Sequence, residues 1–327
     1  MSTHSRKGAG QSKLGRLMIA GPLVGLMSVP ALAGPEGEQV VHGSAQFTRQ
    51  GNLTTITTSH RAIINYSSFD LASWESVRFL QPNANSRVLN RIQSGVPTHI
   101  DGSITANGSV YFVNNAGIVF GPNAVLNVGS LFAAAGNISN RDFIDGRNRF
   151  TDLTGDVVNH GRIEAGQVGL LGRRVANYGQ IVAPEGVVTF GSGEEVFIGQ
   201  RGSHVFARIT STDEGIDGGI EQGGSITARE VNLSVGDHFA LATFDESDIR
   251  AQRVTIRGGD ESTVTVSGSI DVTRQGDRGG RVDIFGDTIL LNGASIDASG
   301  DLGGGVVRIG GDYQGQGLSP HARYTLV

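Results

Sequence analysis

The segment Val158-Asn159-His160-Gly161-Arg162-Ile163 returns 18 residues later as Ala176-Asn177-Tyr178-Gly179-Gln180-Ile181. A repeat this short cannot bury its own apolar face, so it must stack on its neighbours. Gly102-Ser103-Ile104-Thr105-Ala106 likewise returns as Gly224-Ser225-Ile226-Thr227-Ala228, with looser copies at Gly268-Ser269-Ile270-Asp271-Val272 and Ala294-Ser295-Ile296-Asp297-Ala298. Each copy is a turn followed by a small–apolar alternation. A second β-rich run follows close behind, at 187–190, 231–235, 254–257, 282–285 and 306–309. Fifty glycines in 327 residues, interleaved with Val, Ile, Leu and Phe, place tight turns between very short strands.

Strands of this length and spacing suit the coils of a parallel β-helix, each stacked about 4.8 Å from the last. Inward apolar ladders should alternate with outward Ser, Thr, Arg and Asp. At roughly 20 residues per coil the chain predicts on the order of a dozen or more coils and a rod roughly 60 Å long. A β-sandwich of hairpins also gives short strands, but it does not copy a turn sequence at a fixed offset. Residues 140–154 and 211–224 break the rhythm and read as loops bulging from the rod, since the repeats resume on either side.

Residues 1–33 read as a signal peptide. Arg6, Lys7, Lys13 and Arg16 form a basic start and residues 17–29 a short apolar core. Ala31-Leu32-Ala33 then places cleavage between Ala33 and Gly34. The core is too short for a membrane anchor, which needs about 20 residues. Without those four bases, 22 Lys and Arg face 31 Asp and Glu, a net charge of −9. Such a balance argues against nucleic acid as a partner. The chain has no cysteine, so an exported form has no disulfide and no thiolate for metal binding or covalent catalysis.

From Thr48 to about Asn137 the chain resembles the haemagglutination-activity domain of two-partner-secretion exoproteins, the filamentous haemagglutinin type. The resemblance is carried by Arg61-Ala62-Ile63-Ile64-Asn65-Tyr66-Ser67-Ser68-Phe69, Val77-Arg78-Phe79-Leu80-Gln81-Pro82 and Leu89-Asn90-Arg91-Ile92. It continues through Ile104-Thr105-Ala106-Asn107-Gly108-Ser109-Val110-Tyr111 and the stretch from Val110 to Gly129 that contains Phe120 and Gly121. It implies an all-β fold, a right-handed single-stranded parallel β-helix with loop insertions. It further implies export by the Sec machinery, then recognition in the periplasm of a Gram-negative cell by a cognate outer-membrane β-barrel with POTRA domains. The chain would fold at the surface as a secreted or surface-attached adhesin, with a host or neighbouring cell surface as further partner. The family's hallmark turn, Asn-Pro-Asn-Gly, falls at Asn114-Asn115-Ala116-Gly117, where Asn115 and Ala116 replace two of its residues. On this reading 34–155 is the secretion domain and 156–327 continues its rungs. The pattern stops at Arg323-Tyr324-Thr325-Leu326-Val327 with no evident cap after Tyr313, so the expectation is a chain truncated at its C-terminus.

Parallel β-helices also serve as polysaccharide lyases and hydrolases, which need carboxylates clustered on one face. The candidates are Glu194-Glu195, Asp245-Glu246 with Asp248, and Asp260-Glu261. Neighbours in a strand point to opposite faces, and most of these lie beside glycines, where a solvated loop charge is the simpler reading. The eight histidines form no HxH or HxxxH pair, and there is no GxSxG or P-loop. No residue is therefore assigned to catalysis, a cofactor or a metal. Direct glycan adhesion is a third class, for which the single Trp74 and five tyrosines offer few stacking platforms.

Overall fold

The β-rich runs stack in parallel into three faces of one β-helix. The computed structural model describes residues 34–201, 204–210, 218–236, 241–244 and 247–327. The proposed leader through Ala33, together with Asp245, Glu246 and His238, lies outside the described residues.

The 18-residue repeat is one coil. Val158 pairs with Ala176 and Asn159 with Asn177 on the third face, while Ile163 pairs with Ile181 on the first. The first-face register then continues from Ile181 through Ile226, Ile249 and Ile270 to Ile296. In the other direction it runs from Ile163 through Leu126 and Ile104 to Val77. Burying each such side chain contributes about 1.5–3 kcal/mol, so this ladder and its second-face counterpart from Val88 through Val110, Leu131, Val168 and Val188 to Val231 form the core. Glycines recur at the corners because coils approach closely there. A Cβ at Gly179 would collide with the Gly161 carbonyl oxygen, and one at Gly224 with that of Gly179.

The first-face ladder has ten positions from Thr54 to Ile296, and the third face has nine strands among the described residues. That is fewer than a dozen coils, and the rod measures roughly 45–50 Å at 4.8 Å per coil. The difference is chain spent on two antiparallel layers. At the N-terminal end, Ala45–Gln50 forms a hairpin with Leu53–Thr58, and Gln39–His42 lies antiparallel on Ala62–Tyr66. Phe47 and Tyr66 meet edge-to-face there, 6.4 Å apart, and close the core.

The second antiparallel layer corrects the expected loops. Within 140–154, Asn140–Asp145 is a helix and Asn148–Thr151 a strand. Ser139 Oγ caps the helix by accepting from Asp142 N at 3.0 Å, and Gly146 closes it at φ +79°. The strand joins Asn137–Ile138, Glu195–Arg201 and His204–Thr210 in a four-stranded sheet. Of the second expected loop, 211–217 lies outside the described residues, but Gly219–Gln222 is a third-face strand paired with Arg174–Asn177. Ile220 enters the core there and Gln222 continues a buried amide ladder, which the acidic, glycine-rich surroundings conceal in sequence.

The outward ladder of the second face also departs from expectation. It begins with buried Ile63, Leu89, Tyr111 and Phe132, beneath Ile138, Phe143, Phe150, Val196 and Ile198 of the covering layer. Only past Gly169 do the outward positions become Thr189, Asn232, Thr255, Asp283 and Arg308. After Tyr313, a single 3-10 turn leads to Tyr324–Leu326, which adds the last strand to the third face.

Candidate functional site

The turn that ends Ser109–Val113 is built by one side chain. Asn114 Oδ1 accepts from Ala116 N at 3.0 Å, and Gly117 N donates to Asn114 O at 3.0 Å. Asn114 Nδ2 donates to Val96 O and Thr98 Oγ1, both at 2.9 Å, and reaches Ser94 Oγ at 3.3 Å. The amide thus clamps its own turn to the preceding coil, and it is almost wholly buried. Gly117 sits at φ +128°, where a Cβ would stand 3.0 Å from Asp156 O of the following coil. Asn115 is exposed, and its carbonyl accepts from Thr154 Oγ1 at 3.2 Å. None of the four residues is titratable. What the turn can do is fix geometry and present a short surface edge.

Around it, the remaining motif residues form three groups. Phe69 is buried between Tyr66 at 5.1 Å and Phe112 at 5.0 Å, both edge-to-face. Phe120 is equally buried on the third face. Asn90 occupies the core ladder between Ile64 and Phe112. It is satisfied there by Tyr66 Oη, which donates to its Oδ1 at 3.1 Å, and by Tyr111 O, which accepts from its Nδ2 at 3.1 Å. Burial pushes the Tyr66 hydroxyl well above its ordinary value and the Tyr111 hydroxyl up to about 12, so both stay protonated donors. Gln81 and Asn107 join adjacent coils, since Gln81 N donates to Asn107 Oδ1 at 2.8 Å and Asn107 Nδ2 to Gln81 O at 2.7 Å. Pro82 is exposed beside them, and Gly108 leaves 2.5 Å between an added Cβ and Ser86 O. At the next corner, a Cβ on Gly121 would strike the Asp101 carboxylate, which accepts from Asn123 N at 2.9 Å. Arg91 ties the rod to the covering layer. Its Nη2 donates to Ile138 O at 2.8 Å and to Asn140 Oδ1 at 2.9 Å, and Nη1 reaches Asn65 Oδ1 at 3.4 Å. Burial lowers the Arg91 guanidinium below its usual value.

The carboxylates weighed for catalysis are scattered. Glu195 accepts from Arg149 Nε at 2.8 Å and Nη2 at 2.9 Å, which holds its carboxyl below the usual range. Glu194 and Glu195 line a cleft of about 440 Å³ with Asp152, Arg173, Thr151 and Thr154 at the edge of the covering layer. Asp248 lies 3.7 Å from Arg250, while Asp260 and Glu261 are exposed at a turn. Among the described residues no group of three His, Asp or Glu is arranged to hold a metal ion. His160 is exposed and stacks on Tyr178 of the next coil, 5.1 Å between ring centres.

Sequence reasoning missed the amide ladder that the 18-residue repeat encodes. Asn159 Nδ2 donates to Asn177 Oδ1 at 2.7 Å, and Asn177 Nδ2 to Gln222 Oε1 at 2.9 Å, all three residues being fully buried. The signal was the invariant Asn within the two copies. The hairpin was signalled too, by Gly51-Asn52 between two alternating runs.

Comparison with known proteins settles the family. The sequence profile of the TPS secretion domain matches residues 31–304. The chain belongs to the TPS secretion domain family. Its fold matches the HMW1 secretion domain from Haemophilus influenzae, with a TM-score of 0.74 and 29% identity, covering 89% of this chain and 81% of that one. The filamentous haemagglutinin secretion domain matches at a TM-score of 0.52 and 14% identity, over 89% of this chain and 99% of that one, a likeness of fold alone. Two proteins of Haemophilus influenzae, each named heme/hemopexin-binding protein, are also similar. One is 32% identical over 61% of this chain and the other 26% identical over 85%. The alignments span 23% and 30% of their lengths, so this chain corresponds to about a quarter to a third of each relative. A TPS secretion domain directs two-partner secretion across the outer membrane through a cognate transporter.

Proposed function

We propose that this domain is delivered by a leader cleaved between Ala33 and Gly34, passes the inner membrane by the Sec route, and is taken up by an outer-membrane β-barrel through its POTRA domains. The profile match over 31–304 carries this reading. The chain crosses unfolded, and coils stack outside in order from the N-terminal hairpin. Every added coil buries a further step of the apolar ladders, which makes return unfavourable. With no cysteine, nothing covalent forms before export. The turn at Asn114–Gly117 serves recognition as an extended segment and becomes a folding clamp once its amide closes on Val96 and Thr98. At the surface the protein acts in contact with a host or neighbouring cell.

The test is to produce the chain with and without its barrel and to sequence the N-terminus of the secreted product. Barrel-dependent release with Gly34 first supports the proposal. Equal amounts in the medium in both cases contradict it.

A further inference from the structure

The corner where the third face passes into the first is built from turns of two lengths. Leu71 pairs with Ile100 and Ile100 with Phe120, while beyond the corner Ser76 pairs with Ser103 and Ser103 with Val125. Three successive coils therefore span one gap with four residues (72–75), two (101–102) and four again (121–124). The next coils return to two, 160–161 and 178–179. In each long turn the outer residues stack on the glycine of the following short one. A Cβ on Gly102 would stand 2.3 Å from Glu75 O and 2.6 Å from Ala72 O, and one on Gly161 2.5 Å from Ala124 O and 2.7 Å from Gly121 O. The middle residues, Ser73-Trp74 and Pro122-Asn123, are left to project, and all four are exposed. Between the two projections lies a notch floored by Asp101 and Gly102. Its walls belong to turns two coils apart, about 9.6 Å, which leaves room for one six-membered ring in contact at about 3.5–4.0 Å with each side.

Both walls are fixed. Glu75 N donates to Ala72 O and Ala72 N to Glu75 Oε2, each at 2.9 Å, so a buried carboxyl group locks the turn that carries Trp74. On the other side Asp101 Oδ1 accepts from Asn123 N and Oδ2 from Asn123 Nδ2, both at 2.9 Å. Tryptophan is highly buried on average, yet Trp74, the only one in the chain, is 62% exposed. The notch thus sets an exposed indole and the Pro122 ring on either side of a carboxylate that keeps free lone pairs after its two bonds. That combination suits a ring with an apolar face for the indole and hydroxyl edges for Asp101 and Asn123. A wholly apolar ligand would strand the carboxylate, and an anionic one would meet a like charge. We propose that the notch between Trp74 and Asn123 binds a neutral sugar residue of a surface glycan. The site gives chemistry to the cell contact proposed above and rests on that part of the reading alone. Binding is read on purified protein, so its failure and a failure of export are separate results.

Because Trp74 is the only tryptophan, its emission reports on this notch alone. The purified chain is titrated with methyl glycosides of glucose, galactose, mannose and N-acetylglucosamine. It is then applied to an array of neutral oligosaccharides of these sugars, with sulfated and sialylated ones alongside. At least one glycoside should shield Trp74 from acrylamide quenching, and neutral spots should retain the protein. Trp74→Ala and Asp101→Ala should each weaken that retention at least tenfold. Tyr313→Ala, at an exposed aromatic outside the notch, should bind as wild type does. Trp74→Ala removes only exposed surface and should melt as wild type does, so it decides the matter if Asp101→Ala does not fold. Trp74→Ala retained as wild type is, retention confined to sulfated or sialylated spots, or neither shielding nor retention overturns the site.

Discussion

The second face of the rod is two different surfaces on one scaffold. From Ile63 to Phe132 its outward residues are apolar and sealed beneath the antiparallel layer, whereas from Thr189 to Arg308 they are polar. The inward ladder does not change across this boundary, with Val110 and Val254 equally buried. The core therefore requires only inward apolar residues, and outward character is decided by what lies on top. Val110-Tyr111-Phe112-Val113 carries a single polar side-chain group, the Tyr111 hydroxyl, which donates to Asn148 Oδ1 at 3.0 Å, because both sides of that strand are covered. Covering it requires Val196 and Ile198, which lie more than 60 residues further along the chain than Phe132. The sealed half thus depends on contacts distant in sequence, while the polar half is paired coil to coil.

The largest expected effects lie in the sealed half. Phe132→Ala or Phe150→Ala should cost about 3–5 kcal/mol in urea unfolding, the usual result of emptying a packed aromatic site. Thr255→Ala, on the open half of the same face, should stay within about 0.5 kcal/mol. Similar losses at both would erase the contrast. Gly117→Val joins left-handed strain to a clash at Asp156 O and should cost about 2 kcal/mol or more, lowering the secreted yield in a medium assay. Asn177→Ala strands Asn159 and Gln222 in the amide ladder and should cost about 1–3 kcal/mol, read from the same urea curves.

Smaller effects sharpen the boundary between layers. Hydrogen bonds from Arg149 hold the Glu195 pKa below 4.5, so the pair's contribution is present above 4.5 and lost as pH falls through the lower folded value. Amide exchange in Glu195–Arg201 should accelerate below pH 4.5 before that in Arg253–Arg257 does. Glu194→Gln and Asp245→Asn should leave both secretion and folding intact. Glycan cleavage by the wild type that either change abolishes would instead favour an enzyme.

How far sequence reveals this fold depends on where the partners of each residue lie. The 18-residue repeat was readable because stacking aligns identical positions, so Asn159 meets Asn177 and Ile163 meets Ile181. The turn chemistry of Asn114 and Gly117 is local and equally readable. The covering layer was not, because Phe143, Phe150 and Val196 are short apolar islands in polar segments and their shared target is assembled from four earlier coils. Arg91 carried a motif but gave no hint in sequence that it would bind Ile138 and Asn140.

One inward ladder holds the rod, and the antiparallel sheet is a separate layer laid over its first half. Native-state hydrogen exchange at increasing urea tests it most directly. Glu195–Arg201 and His204–Thr210 should open together at a lower free energy than Ser109–Val113 and Arg253–Arg257, which should open only with global unfolding. If the covering strands and the coil strands open in a single step, the layer is part of the core and the account is wrong.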